Sequence, residues 1–106
     1  MRFTVPENLA RICRRYGVQQ LYLFGSATTD AFKPESSDVD VLVTMAEAPP
    51  VEQGEALLAL WEGLEQLFQR RVDLLTPHSL RNPYLKAEIE RTKQLIYDAA
   101  RPQVSV

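Results

Sequence analysis

The chain has 106 residues, which is the size of one domain with one core. Its 12 basic and 14 acidic residues give a net charge of −2. That charge argues against a nucleic-acid-binding module, because such modules are usually basic. A single cysteine, Cys13, excludes an internal disulfide. The chain contains no run of about 18 apolar residues, so we expect no membrane span. Because the N-terminus has no signal-peptide pattern, we expect a cytoplasmic protein.

The first half of the chain predicts one helix and two strands. Apolar residues spaced by three and four predict a helix over residues 6–15, which Gly17 would end. Residues 20–24 predict the first strand. Residues 25–32 would then form a Gly-Ser turn and a short helix, and residues 33–37 a turn-rich link. Residues 38–44 predict the second strand, whose apolar content is typical of a central strand.

The second half predicts two helices around a third strand. An unbroken amphipathic pattern from Leu57 to Phe68 predicts a long helix that opens at Pro49-Pro50. Residues 71–75 would form a strand and residues 76–83 a loop with Leu80 turned inward. We expect a last helix over residues 84–100, with Leu85, Ile89 and Ile96 as its inner face.

This order of elements predicts an α/β (α+β) fold, with a small mixed sheet of three to four strands covered by helices. We expect a single domain over residues 1–100. Residues 101–106 would be a flexible tail.

Three aspartates stand inside apolar strands. Asp38 and Asp40 are two residues apart, so both side chains point to one face of the second strand. Asp73 interrupts the third strand in the same way. Charges placed there are costly unless something positive binds them. Carboxylates about 6–7 Å apart along a strand can converge on two metal ions. Since Mg²⁺ prefers oxygen ligands and bridging phosphates, the pattern predicts nucleotidyl transfer.

A Gly25-Ser26 turn follows the first strand and supplies the second half of this predicted site. Backbone N–H groups at the start of a helix can hold phosphate. Taken alone, a Gly-Ser turn is a common helix cap, Asp38 and Asp40 are compatible with a solvent-facing strand end, and Asp73 is compatible with a simple ion pair to Arg70 or Arg71. The combination at this spacing favours a nucleotide and metal site.

The run Phe24-Gly25-Ser26, followed by Ser37-Asp38-Val39-Asp40-Val41-Leu42-Val43, resembles the signature of the DNA polymerase β-like nucleotidyltransferase superfamily. The small size and the segment Asn82-Pro83-Tyr84-Leu85 resemble its minimal nucleotidyltransferase (MNT) branch. The resemblance implies a palm-like nucleotidyltransferase fold. It also implies that Gly25 and Ser26 hold the triphosphate and that Asp38 and Asp40 bind both Mg²⁺ ions. Asp73 would be the third carboxylate, a ligand of the catalytic metal and the group nearest the acceptor.

The chain departs from many relatives just after the Gly-Ser pair. Where those relatives carry an arginine, residues 27–30 contain no basic side chain. The first cation after Ser26 is Lys33, which is therefore the predicted triphosphate contact, with Arg70 or Arg71 as further candidates.

The resemblance implies an enzyme that transfers AMP from ATP to a protein. MNT proteins are commonly paired with a HEPN ribonuclease, and the implied role is the antitoxin that inactivates this toxin. One alternative is a non-catalytic antitoxin of the same fold, which neutralises its toxin by binding. Another is a small-molecule nucleotidyltransferase, although one short domain leaves little room for an acceptor pocket. The implied partners are a HEPN-type toxin and a nucleoside triphosphate, without a membrane and without stable nucleic-acid binding.

Overall fold

The computed structural model describes residues 6–28 and 38–101 and shows a four-stranded mixed sheet with three α-helices. This architecture confirms the predicted fold class. In chain order the elements are α1 (Leu9–Arg15), β1 (Val18–Phe24), β2 (Val39–Met45), α2 (Pro50–Phe68), β3 (Val72–Leu75), α3 (Pro83–Thr92) and β4 (Gln94–Asp98). Short 3-10 turns lie at Gly25–Thr28 and at Pro77–Ser79. No helix in the described part of the chain is long and apolar enough to cross a membrane.

The strand order is β3-β2-β1-β4. β1 pairs antiparallel with both β2 and β4, whereas β2 and β3 are parallel. Parallel neighbours need a long crossover, and α2 provides it. The crossover helix begins with Pro50, which suits the first turn because its missing N–H would have no partner there. It ends at Phe68, and the residue that caps it, Gln69, adopts a left-handed conformation with φ of 54°.

The two faces of the sheet carry different cores. On one face, α1 and α2 cover the larger cluster, in which Leu60, Leu64 and Phe68 of α2 recur every fourth residue. The strands contribute to it Leu21, Leu23, Val39, Val41, Val43, Val72 and Ile96. On the opposite face, Ile89 of α3 packs with a smaller cluster formed by Phe24 and Leu42. Leu80 packs against this smaller cluster, which confirms its predicted inward position.

The predicted last helix over residues 84–100 is wrong in its second half. The helix ends at Thr92, Lys93 is extended with ψ of 141°, and β4 follows at once. Spacings of four and seven residues between Leu85, Ile89 and Ile96 fit a helix, but β1 offers a sheet edge with which this segment pairs. Tertiary pairing therefore overrides the local pattern.

The remaining boundaries differ by one to three residues from the predicted ones. The first helix begins at Leu9 and not at residue 6, and the first strand begins two residues earlier than predicted. β2 begins at Val39, so Asp38 lies just before the strand. Residues 29–37, which include the predicted link and Lys33, lie outside the described residues, as does most of the predicted tail.

Candidate active site

Asp40 and Asp73 lie side by side on the sheet. The parallel register of β2 and β3 places Asp40 directly opposite Asp73. Side chains in such a register share one face, and the strands themselves are about 4.8 Å apart. This face is not the one covered by α1 and α2, because the alternating neighbours Val39 and Val41 are fully buried on that side. The sheet therefore brings two of the three predicted carboxylates together, whereas Asp38 is exposed just before β2.

The carboxyl group of Asp40 is strongly perturbed by its surroundings. Its pKa is raised from 3.8 to about 6, first by burial and then by the negative charges of Asp73, Asp38 and Glu88. Each cause disfavours the ionised carboxylate, and a cation at this position would offset all of them. This is the electrostatic environment that a divalent metal ion would relieve.

The donor set fits Mg²⁺ bound together with a substrate. Among the residues that the structure describes, no three acidic, histidine or cysteine side chains form a group that could hold a metal ion on its own. Mg²⁺ is usually held by one or two carboxylates plus substrate phosphates and water, without a complete protein cage. Asp40 and Asp73 supply such a partial set of ligands.

Glu88 is a site neighbour that sequence reasoning missed. It lies on α3, with half of its side chain exposed, and its charge contributes to the raised pKa of Asp40. Its Oε1 lies 3.9 Å from a guanidinium nitrogen of Arg91, one turn along the same helix. Nothing in the local pattern distinguishes Glu88 from other exposed acids on a helix, because its proximity to Asp40 depends on how α3 packs.

Gly25 lies directly against the Asp40 carboxylate. It has a φ of 69°, and a Cβ placed on it would lie 2.8 Å from Asp40 Oδ2. Only a residue without a side chain allows this approach together with this backbone conformation. The preceding residue, Phe24, pairs with Asp40 across β1 and β2. The Gly-Ser turn and the aspartate strand, which the sequence predicts to form one site, are therefore in contact.

The Gly25 N–H is already engaged. It donates to Thr92 Oγ1 at 2.9 Å, and Thr92 Oγ1 donates in turn to the Glu88 carbonyl at 2.8 Å. Thr92, at the end of α3, is buried, and sequence reasoning did not single it out. A phosphate contact at this turn would therefore have to use Ser26 and the residues after it, not the Gly25 amide.

Of the basic residues predicted to contact the triphosphate, Arg71 is described by the structure and Lys33 is not. Arg71 is exposed immediately before β3, and its carbonyl accepts the N–H of Val39 at 2.9 Å. Its backbone is thus next to the start of β2, where Asp38 and Asp40 lie. Lys33 is outside the described residues, so its predicted role stays a prediction.

Comparisons with known proteins find relatives of this chain in sequence and in structure. A Methanocaldococcus jannaschii protein named "Putative protein adenylyltransferase" is 39% identical over 83 residues, which cover 78% of this chain and 79% of that protein. A solved structure described as a "putative minimal nucleotidyltransferase" is 28% identical with a TM-score of 0.65, covering 83% of this chain and 85% of that one.

A chain from a solved complex, the tri-AMPylated Shewanella oneidensis HEPN toxin with MNT antitoxin, has a similar fold. It is 20% identical with a TM-score of 0.56, and the match covers 89% of this chain and 70% of that one. The family model for the nucleotidyltransferase domain matches residues 6–96. Members of that family generally use a nucleoside triphosphate and a divalent metal ion. With Asp40 and Asp73 paired on adjacent strands and the glycine turn in contact with Asp40, the chain belongs to the nucleotidyltransferase domain family.

Proposed function

We propose that this protein transfers AMP from ATP to a hydroxyl group of a partner protein in a Mg²⁺-dependent reaction. The observation that carries the proposal is the parallel register that sets Asp40 opposite Asp73, with Asp38 two residues away and Gly25 against Asp40. This arrangement concentrates negative charge where two-metal nucleotidyl transfer requires it.

The three aspartates have two roles in the proposal. Asp38 and Asp40 would hold both Mg²⁺ ions, and Asp73 would be the third ligand, nearest the acceptor. When bound, the ions supply the positive charge that neutralises the triphosphate and the leaving pyrophosphate. Ser26 and Lys33 would contact the phosphates, with Arg71 as a further candidate. Gly25 contributes by leaving room for the Asp40 carboxylate.

The reaction forms one bond and breaks another at the α-phosphorus of ATP. The acceptor hydroxyl oxygen bonds to this phosphorus, the bond to the bridging oxygen of the β-phosphate breaks, and pyrophosphate leaves. The hydroxyl proton passes to the solvent beside Asp73. An exposed Asp73 at the sheet edge suits this role, because a protein acceptor has to reach it from outside.

The proposed acceptor is a HEPN-type toxin, and the proposed role is that of its antitoxin. This proposal is supported by the names of the relatives and by the solved complex of an AMPylated HEPN toxin with an MNT antitoxin. The small single sheet, without a second domain among the described residues to enclose a small acceptor, favours a macromolecular acceptor.

A labelling assay tests the enzymatic proposal. The purified chain is incubated with the HEPN-type protein, Mg²⁺ and ATP labelled at the α-phosphate. We expect Asp38→Asn, Asp40→Asn and Asp73→Asn each to lower the labelling rate by about 100-fold or more, since each removes a charged metal ligand. Asp98→Asn is the matched control, because Asp98 lies on β4 at the other edge of the sheet and its substitution is chemically identical. Undiminished labelling by the Asp38 and Asp40 variants would refute the assignment.

The engaged Gly25 amide favours a second candidate function. With that donor committed to Thr92 and no cation at residues 27–30, the protein would neutralise its toxin by tight binding without catalysis. The same variants separate the two candidates in cells that express the toxin. Rescue by Asp40→Asn equal to that by the wild type would favour binding, whereas lost rescue would favour catalysis.

A further inference from the structure

A chain of two hydrogen bonds ties the glycine turn to the end of α3. Gly25 N–H donates to Thr92 Oγ1 at 2.9 Å across 67 positions of sequence, and the same hydroxyl donates to the Glu88 carbonyl at 2.8 Å. A hydroxyl has one proton, so its donation to Glu88 leaves only lone pairs facing Gly25. The Thr92 oxygen is therefore oriented as an acceptor for the Gly25 amide.

The burial of Thr92 makes this tether specific. The residue is 8% exposed and lies at the end of the helix that covers the smaller core. A threonine hydroxyl bonded to the carbonyl four residues earlier is common in helices and needs no further explanation. The bond to Gly25 is different, because it joins two distant elements and satisfies a buried backbone donor.

The tethered glycine is the residue that contacts Asp40. Its left-handed backbone leaves only 2.8 Å between a Cβ position and Asp40 Oδ2, so a small rotation at Gly25 changes this contact. Ser26 follows at once, and any displacement of Gly25 displaces it as well. The position of the turn relative to the aspartates thus depends on what holds the Gly25 amide.

We propose that Thr92 is a positioning residue, which fixes the Gly25-Ser26 turn against Asp40 by accepting the Gly25 N–H. The inference rests on the proposed function, because it assumes that this turn and Asp40 bind Mg²⁺ and nucleotide. Thr92 itself touches neither substrate nor metal. It acts by fixing the backbone of the Gly25-Ser26 turn, which contacts them in the proposed function.

Valine and serine substitutions separate the hydroxyl from the shape of the side chain. Thr92→Val keeps the volume and removes the acceptor, whereas Thr92→Ser keeps the acceptor and removes a methyl group. We expect Thr92→Val to weaken MgATP binding by about tenfold and to lower kcat by about 10- to 100-fold, because reactions are sensitive to misplacement by about 1 Å. The KM for the protein acceptor should stay unchanged. Thr92→Ser should stay within about threefold of the wild type in all three quantities.

Ile89→Val is the matched control for loosened packing. Ile89 is buried on the same helix and loses one methylene without losing a hydrogen-bonding group. Its thermal stability should fall while MgATP affinity stays at the wild-type level. If Thr92→Val and Ile89→Val lose affinity in proportion to their lost stability, Thr92 has only a structural role and the inference is refuted.

Amide hydrogen exchange tests the tether even where Thr92→Val does not fold. In the wild type, the Gly25 amide should be protected to the same degree as the amides of β1, because it is buried and bonded. Rapid exchange of this amide would refute the tether. A wild-type protein that does not bind MgATP would refute the proposed function instead. Wild-type binding that Thr92→Val leaves intact would refute only the positioning role.

Discussion

Replacing Gly25 by alanine perturbs both the backbone and the carboxylate of the site. Gly25 has a φ of 69°, and an added Cβ would lie 2.8 Å from Asp40 Oδ2. Alanine in a left-handed conformation costs about 1–2 kcal/mol. Because the contact atom is the end of a side chain, Asp40 can turn away, at a cost of about 0.5–1.5 kcal/mol for an unfavourable rotamer. We therefore expect Gly25→Ala to lower the free energy of unfolding by about 1.5–3.5 kcal/mol.

Two other glycines separate these contributions. Gly17 has a φ of 76°, but the nearest atom to its added Cβ is Ala46 Cβ at 3.8 Å, which is an ordinary contact. Gly17→Ala should therefore lower the free energy of unfolding only by the cost of the left-handed backbone, about 1–2 kcal/mol. Gly54 lies within α2, and nothing is within 4 Å of its Cβ position. Gly54→Ala should stabilise the protein by about 0.5–1 kcal/mol, because alanine loses less conformational entropy than glycine when the helix forms.

Urea unfolding and the labelling assay together measure the series. Both Gly17→Ala and Gly25→Ala should unfold at lower urea, but only Gly25→Ala should lose labelling, because only that change moves the Asp40 carboxylate. In an Asp40→Ala background, the excess cost of Gly25→Ala over Gly17→Ala should vanish. If the excess persists in that background, or if Gly25→Ala labels as fast as Gly17→Ala, the close contact does not control the site.

Two further predictions concern electrostatics and packing. The folded-state pKa of Asp40, about 6, exceeds the unfolded value of 3.8, so protonation stabilises the fold. In the absence of metal, the wild type should lose stability relative to Asp40→Asn as the pH rises from 3.8 through 6, and Mg²⁺ should restore part of that stability above this range. Urea midpoints of the two proteins that stay parallel across this pH window would show that burial and the neighbouring negative charges do not raise the pKa of Asp40. Trp61 Nε1 donates to the Val72 carbonyl at 2.9 Å, so Trp61→Phe should cost about 1–2 kcal/mol by leaving that carbonyl unpaired. Leu58→Ala on the same helix, where Leu58 is 56% exposed, should change stability by only about 0.5 kcal/mol, and equal losses in the two variants would contradict the role of the indole bond.

The parts of the fold that the sequence predicts well are those with a strong periodic pattern. The long helix from Pro50 has an unbroken amphipathic spacing, and the central strands are rich in apolar residues, so their predicted positions match the structure closely. The aspartates stand out for the related reason that each charge interrupts such a pattern. Asp73 was predicted from this interruption, and the register then places it opposite Asp40.

The features that were not predicted depend on contacts between distant residues. The sequence predicts helix through β4 because Ile96 continues the helical spacing of Leu85 and Ile89, and only pairing with the edge of β1 makes this segment a strand. Thr92 and Glu88 lie on α3 at positions that no motif in the sequence singles out. Their relation to Gly25 and Asp40 exists only after α3 packs against the sheet.

Because β2 and β3 pair in a parallel register, the site depends on the length of the link between α2 and β3 as well as on its own residue types. Three residues, 69–71, separate the end of α2 from the start of β3. Side chains alternate along a strand, so one inserted residue that shifts β3 by one position would turn Asp73 towards Leu60 and Leu64 and away from Asp40. Two inserted residues would restore the face but displace Asp73 by about 6–7 Å along the strand. The length of the link over residues 69–71 therefore determines whether Asp73 faces Asp40.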